Sequence, residues 1–446
     1  MASALDRLLG MRTASGGHDI SPDDLLPLQL EAADERLHTR IDQIPLLKNR
    51  AGTGGITGIT RREDLVPLLF AHSAYKSYAE NWLTDGRWDR MARWVSTVST
   101  HPIDGLDLTG VDGLDEFVTR LETVGYYLTC SSGTTGKPAM IACSEADLET
   151  SAQSNVHGLV WATGIQPDRT RKFFGLGPRT TVERNERTRL ALIDAFSTPD
   201  DAFQLDVPPI SVGSIMEMIG LRRRIAAGEA GPSEVASFES ISAQRQAELK
   251  NAIAGAADEL VARRADKLLL TGMFASLYEI AEQVRAQGFS GTDFAGDAAL
   301  LVGGGLKGAA LPDNYREYIF GTFGIAEGRS FHFYTMQELN TAFPKCPAGR
   351  YHVPPWVLVL PVDEPGERLV DAGVAAAGAR AAFFDLSLDG RWGGVISGDR
   401  VSTSFGVCSC GRHGPTIGDD ITRYADLGGD KISCAGTIDA YVRGQA

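Results

Sequence analysis

Cysteine is scarce in this chain: six in 446 residues, too few for a disulfide framework at this length, and a reducing compartment would hold them as thiols. No apolar run reaches the roughly 18 to 20 residues that a membrane span needs. The N-terminus, MASALDRLLGMRTASGGHD, lacks the uninterrupted apolar core of a secretory signal. Positive charge is in deficit as well. With 43 Lys+Arg against 57 Asp+Glu the formal charge is −14, which disfavours non-specific attraction to nucleic-acid phosphates or anionic lipid. Internal repeats and low-complexity tails are absent. Together these absences exclude a stapled secreted scaffold and a membrane span, and the expectation is a cytoplasmic protein without a nucleic-acid partner.

What is present is enough apolar material, 43% of the residues, for one large multi-lobed enzyme or two to three ordinary domains. Glycine, at 50 residues, exceeds the usual share of about 7% and gathers in short clusters, which suggests tight turns near ligands. Residues 1–120 read mainly as helices, with apolar positions at helical spacing over 23–44 and 63–82. From 121 to 334 short apolar runs ending in Gly, such as Lys172 to Gly177 and Lys267 to Gly272, alternate with helical patterns. That alternation argues α/β layering. After Tyr334 the texture turns to β-branched and aromatic runs broken by turns, so a β-rich lobe is expected over 335–430, with a short remainder at 431–446.

The string Ser131-Ser-Gly-Thr-Thr-Gly-Lys-Pro138 follows a short β-prone run, Tyr126 to Cys130. Ser131, Ser132, Thr134 and Thr135 place four hydroxyls among Gly133 and Gly136, with Lys137 beside them. Such a loop can wrap a polyphosphate with backbone N–H groups, hydroxyls and one cation, and glycine lets the backbone approach closely; on composition alone a solvent-exposed turn after a strand is the other reading. It is not the Walker A spacing, which needs a four-residue gap and a Ser or Thr after the Lys.

Leu128 to Pro138 closely resembles the phosphate-binding motif of the adenylate-forming superfamily, which includes acyl-CoA synthetases, nonribosomal adenylation domains and firefly luciferase. One position departs: the basic residue usual after the Pro is Ala139. Further segments similar to that family follow in order: Gly303-Gly304-Gly305 at a strand end, Tyr334-Thr335-Met-Gln337-Glu338, and Gly398-Asp399. Taken singly, Tyr334 also suits core packing and Asp399 a turn. The resemblance implies that the loop and the Gly303 to Gly305 segment hold ATP and that Tyr334 and Thr335 line the adenine. It further implies Gln337 by the α-phosphate, Mg²⁺ on Glu338 and the ribose hydroxyls on Asp399, roles that suit these residue types. Within the superfamily the chain looks most like the phenylacetate-CoA ligase and bacterial acyl-protein synthetase branch, through the segments 65–77, 408–412 and 430–436.

The implied fold is α/β: an adenylate-forming core of two layered α/β subdomains and a β-rich third lobe, its C-terminal lid absent or minimal. The implied activity is ATP-dependent activation of a carboxylic acid as acyl-adenylate, then transfer to a thiol on CoA, a carrier protein or a partner enzyme. An amine acceptor, a nucleotide binder without turnover, and a zinc-organised subunit of a larger complex stay open as alternatives. The lysine usual on the lid is missing, which leaves Lys137, Lys307 and Lys431 as candidates for the cation that meets the carboxylate. The acyl pocket is expected between 271–274 and Gly303 to Gly305, with Leu270, Met273 and Phe274 pointing to an apolar acid.

The cysteines sort by position. Cys346, His352, Cys408 and Cys410 make a three-thiolate, one-imidazole set suited to structural Zn²⁺, with His413 as an alternative to His352 and reduced thiols in packing as the other reading. Four protein ligands leave no open position for catalysis. Cys130 and Cys143 read as buried strand residues. Cys434 reads as packing by default, although acyl-protein synthetases carry their acyl group on a cysteine near the C-terminus.

Overall fold

The computed structural model describes residues 2–13, 18–100, 105–131, 137–303, 310–370 and 375–445. It divides into two compact units, residues 1–154 with 335–446, and residues 155–334.

The second unit is a parallel sheet. Its strands are Lys172–Gly175, Ala202–Gln204, Leu268–Gly272, Ala299–Val302 and Ser330–Tyr334, paired in parallel with Lys172–Gly175 between Ala202–Gln204 and Leu268–Gly272, and the other two following outward. In chain order this is 2-1-3-4-5, a doubly wound arrangement with its switch point between the first and third strands. Leu268, Leu270, Leu300 and Val302 are buried beneath helix residues Leu277, Ile280, Ala281 and Val284. The Phe274–Ala286 helix repeats its apolar positions every three or four residues, which sets that face on the sheet. The alternating strand and helix reading of the sequence is therefore realised as crossover units.

The first unit is built on an antiparallel sheet whose long members are Val357–Val362, Ala375–Asp385 and Gly394–Ser404. Thr416–Ile417 extends it on the far side of Gly394–Ser404, and Phe70–Ala71 joins in parallel at Val395 and Ile396. The connection between the two longest strands, residues 386–393, is almost wholly buried. Two glycines permit that. Gly393 has φ +96° and lies so close to the Asp385 carbonyl that a Cβ would stand 2.5 Å from its oxygen, and a Cβ on Gly390 would stand 2.7 Å from Asp147 Oδ2. A separate hairpin, Tyr127–Cys130 with Met140–Cys143, carries the hydroxyl loop at its tip, the pairing running from Tyr127↔Cys143 to Cys130↔Met140.

Candidate nucleotide and metal sites

The hairpin fixes both ends of the loop. Ser131 N–H donates to the Ala139 carbonyl at 3.0 Å, and Ala139 N–H donates to Ser131 Oγ at 2.9 Å. Ala139 is fully buried, so a long basic side chain here would have to displace its neighbours. Lys137 lies over the Tyr78 ring, its Nζ 4.0 Å from the centroid, and donates to the Tyr78 carbonyl. Tyr78 in turn donates to the Pro138 carbonyl at 3.0 Å and rests edge-on against Trp94. The cation at the end of the loop thus stands on a rigid aromatic base. Ser132, Gly133, Thr134, Thr135 and Gly136 lie outside the described residues, as do Gly304, Gly305 and Lys307.

Gln337 and Glu338 belong to the same unit as the hairpin. Thr129, in the middle of the strand leading into the loop, donates its hydroxyl to Gln337 Oε1 at 3.1 Å. Glu338 is 7% exposed, and no hydrogen bond or ion pair reaches its carboxylate among the described residues. The residue is largely buried while its carboxylate oxygens stay open to solvent, and a hard cation prefers such oxygen ligands. Glu338 thus fits a Mg²⁺ ligand.

The segment behind it is pinned by residues that sequence reading missed. Asn340 donates its backbone N–H to Asp385 Oδ2 at 2.9 Å and its amide to Asp147 Oδ1 at 2.7 Å. Asp147 also accepts from the backbone N–H groups of Ser144, Asp389 and Gly390 at 3.0, 2.7 and 2.9 Å. Thr335 is tied at the other end, donating to the Thr341 carbonyl, so the 335–341 stretch is held at both ends. Burial drives the Asp385 carboxyl above its ordinary range, partly offset by donation from Ser387 and Asn340.

Asp399 sits on the Gly394–Ser404 strand opposite Arg423, its side chain 3.8 Å from the Arg423 guanidinium. Two residues earlier, the Ser397 carbonyl accepts from Arg380, a fully buried arginine. Arg380 also donates to the Glu364 carbonyl and to Asp430 Oδ1, at 2.7 and 2.6 Å, over the Tyr424 ring at 3.9 Å. His72 reaches Asp430 Oδ2 at 2.8 Å. Burial by itself would raise Asp430, but the hydrogen bonds from His72 and Arg380 outweigh it and bring the carboxyl down to about 2.

Cys346, His352, Cys408 and Cys410 converge, their ligand atoms all within 4.8 Å of one another. The Cys346 and Cys408 sulfurs are 3.9 Å apart, and Cys410 Sγ is 3.4 Å from His352 Nε2. A tetrahedral zinc with bonds of about 2.3 Å to sulfur and 2.0 Å to nitrogen spans edges of about 3.8 and 3.5 Å, so the observed separations fit that ion. The backbone repeats one design twice. Cys346 N–H donates to Arg350 O and Gly349 N–H back to Cys346 O, while Cys408 N–H donates to Arg412 O and Gly411 N–H back to Cys408 O. Both turns need a left-handed glycine, Gly349 at φ +79° and Gly411 at φ +87°. Burial, with Arg412 and Arg350 nearby, pushes His352 down to about 4, which keeps its imidazole neutral and able to bind a metal. His413, the alternative ligand, pairs with Asp19 at 3.0 Å instead.

Cys130 and Cys143 are buried as expected, and burial lifts the Cys130 thiol to about 11. Cys434 is half-buried, immediately before the Ala435–Gln445 helix and beside Arg50. Lys431 joins the Arg380 cluster through its carbonyl.

In the second unit, the carboxyl ends of the strands gather Leu176, Thr271, Gly272, Met273 and Gly303, at the place where a doubly wound sheet binds ligands. Leu176 N–H donates to Thr271 O at 2.7 Å, and Gly303 N–H to Gly272 O at 3.2 Å. Met273 is exposed, while buried Leu270 and Phe274 belong to the core. The Phe274 ring meets Tyr315 and His332 edge-on, at 4.9 and 5.8 Å. Tyr334 closes this sheet, buried at the end of its last strand.

No family model matches the sequence, and no curated protein does. Solved structures do match in fold. A 2-hydroxyisobutyryl-CoA ligase in the postadenylation state with 2-HIB-AMP superposes with a TM-score of 0.53 at 12% identity, over 92% of this chain and 69% of that one. The same ligase with R3-HIB-AMP gives 0.54 at 12%, over 92% and 70%. Its open conformation with 2-HIB-AMP and CoA gives 0.52 at 12%, over 91% and 76%. At this identity the likeness is one of architecture, and the chain has the α/β fold of the adenylate-forming acyl-CoA ligases.

Proposed function

We propose that the protein activates a carboxylic acid with ATP, forming an acyl-adenylate and pyrophosphate, and then passes the acyl group to a thiol. The observation that carries this reading is the Thr129, Gln337 and Glu338 constellation. One strand of the loop hairpin contacts the glutamine, and the next residue offers a carboxylate open to a cation on a segment that Asn340 pins from behind. The similar ligase bound to 2-HIB-AMP and CoA supports the same chemistry.

A carboxylate is ionised at neutral pH, so its attack on the α-phosphorus needs alignment and charge neutralisation and no general base. Its oxygen forms the new P–O bond as the bond to the β-phosphate oxygen breaks, and pyrophosphate carries the electron pair away. Mg²⁺ at Glu338 would neutralise phosphate charge as that pair departs. Lys137, held on the Tyr78 ring, would keep a positive charge at the end of the loop, and Gln337, oriented by Thr129, would present its amide to the α-phosphate. In the second half a thiol sulfur, as thiolate, attacks the acyl carbon and AMP leaves with the electrons of the cleaved C–O bond. The exposed Met273, with Gly272 and Gly303 at the carboxyl ends of the parallel strands, supports binding of an apolar acyl group. Tyr334 and Thr335 would line the adenine, and Asp399 would accept hydrogen bonds from the ribose. The Cys346, His352, Cys408, Cys410 set would hold a structural zinc that clips two turns of the β-rich region together.

The test is mass spectrometry of acyl-AMP after incubation with ATP, Mg²⁺ and a panel of aryl, short-chain and long-chain acids. Acyl-AMP from one acid class supports the reading. Its absence with every acid, while ATP still binds, would leave a nucleotide binder without turnover.

A further inference from the structure

The sheet of the first unit ends at Val357–Val362, which pairs on one side with Ala375–Asp385. Its other side is only partly taken. Val370 donates its N–H to the Pro361 carbonyl, and Asp363 donates to the Arg368 carbonyl, both at 2.9 Å. Pro361 and Asp363 therefore turn their backbone groups away from Ala375–Asp385. The register of the pair is unbroken, 357–362 against 385–380, and in an antiparallel ladder the direction alternates residue by residue, so Val357 and Val359 turn away as well. The Val359 N–H and carbonyl and the Val357 carbonyl thus face outward with no partner among the described residues. Proteins ordinarily cover such an edge or blunt it with charge, yet Val357-Leu-Val359 is uncharged.

This open stretch lines a cavity of about 480 Å³. Leu26 and Gln29 of the Pro22–Arg40 helix form one wall, and Val370 and Phe405 another. The same cavity carries uncompensated charge. Asp23 and Glu63 line it, both exposed, and neither meets a hydrogen bond or ion pair among the described residues. Arg62, between them in the lining, stands over the Phe405 ring at 5.7 Å.

We propose that this groove receives an extended segment of a partner protein, which adds a strand beside Val357 to Val359 and brings a basic residue to Asp23 and Glu63. Main-chain hydrogen bonds to Val359 supply affinity, and apolar side chains against Leu26, Val370 and Phe405 supply selectivity. Walls on both sides of the edge admit a single extended chain and obstruct the edge of another folded sheet, which sets a second copy of this protein aside.

The test is selection of random octapeptides displayed on phage against the full-length protein, followed by fluorescence anisotropy with the enriched peptide. Enriched sequences should alternate apolar and polar residues and include Lys or Arg. N-methylation scanned along the synthetic peptide should weaken binding about 3- to 10-fold, the worth of one hydrogen bond, at every second residue and little between. Val359→Pro removes an N–H that faces the groove and none from the ladder, and it should weaken the peptide by the same factor. Asp23→Lys combined with Glu63→Lys should shift the enriched sequences from basic to acidic. The N-methyl scan alters only the peptide, so it serves alone if a protein variant does not fold. No enrichment, binding to Val359→Pro as tight as to wild type, or N-methyl sensitivity without a two-residue period would each overturn the proposal.

Discussion

Replacing Asp147 tests the framework around Glu338 quantitatively. Its carboxylate takes three backbone N–H groups and one side-chain amide, all at 2.7 to 3.0 Å, and all but the bond from Asp389 are buried. A buried donor left without an acceptor costs about 1 to 3 kcal/mol. Asp147→Ala orphans three buried donors, so even at the lower figure the loss is about 3 kcal/mol, a large share of the roughly 5 to 15 kcal/mol that holds a domain folded. Asp147→Asn keeps one carbonyl oxygen, able to accept two donors, and turns an amide against the others, so its loss is about half as large. The assay is urea unfolding followed by tryptophan fluorescence. Trp82, Trp88, Trp94, Trp356 and Trp392 all belong to the unit that contains Asp147, and only Trp161 to the other. A loss below about 1 kcal/mol for Asp147→Ala, or an Asn variant less stable than the Ala variant, would refute the reasoning.

Metal analysis of the purified protein should find one zinc per chain, and Cys408→Ser should remove it and lower the melting temperature by roughly 10 °C. A full zinc complement in that variant would contradict the assignment. Asp430→Asn should cost about 3 to 5 kcal/mol, because it strips the partner from the fully buried Arg380. Since folding lowers the Asp430 carboxyl from 3.8 to about 2, its contribution is complete above pH 4 and lost as the pH falls towards 2, so acid titration of stability should lose that limb in the variant. Ala139→Arg should destabilise by about 1 to 3 kcal/mol in thermal or urea melts, because the position is closed on all sides; an unchanged melt would show that the pocket opens. Thr129→Val should lower the rate of adenylate formation several-fold with little change in the KM for ATP, since it removes one of the contacts that orient the Gln337 amide.

The convergence of Cys346, His352, Cys408 and Cys410 was legible because few other arrangements use those residue types together. The alternation of apolar runs and helical patterns likewise gave the parallel sheet, since each crossover unit is contiguous in sequence. What stayed hidden is the framework that joins distant segments. Asp147 lies more than 190 residues from Asn340 and 240 from Gly390, and no period or spacing connects them. Arg380 and Arg391 were invisible for a different reason: arginine in a strand or turn reads as a solvated charge, and only the packing reveals that both are fully buried. Ala139 is an intermediate case. Its departure from the motif was visible in the sequence, but its full burial was not.

The central claim is that Glu338 and the loop hairpin serve carboxylate activation by ATP. Its most direct measurement is carboxylate-dependent ATP–pyrophosphate exchange with Mg²⁺, across aryl, short-chain and long-chain acids, on wild type and on Glu338→Ala. The account expects exchange that requires one acid class and falls at least a hundredfold in the variant. Exchange in Glu338→Ala equal to wild type, or none with any acid in a wild-type protein that binds ATP, would contradict it.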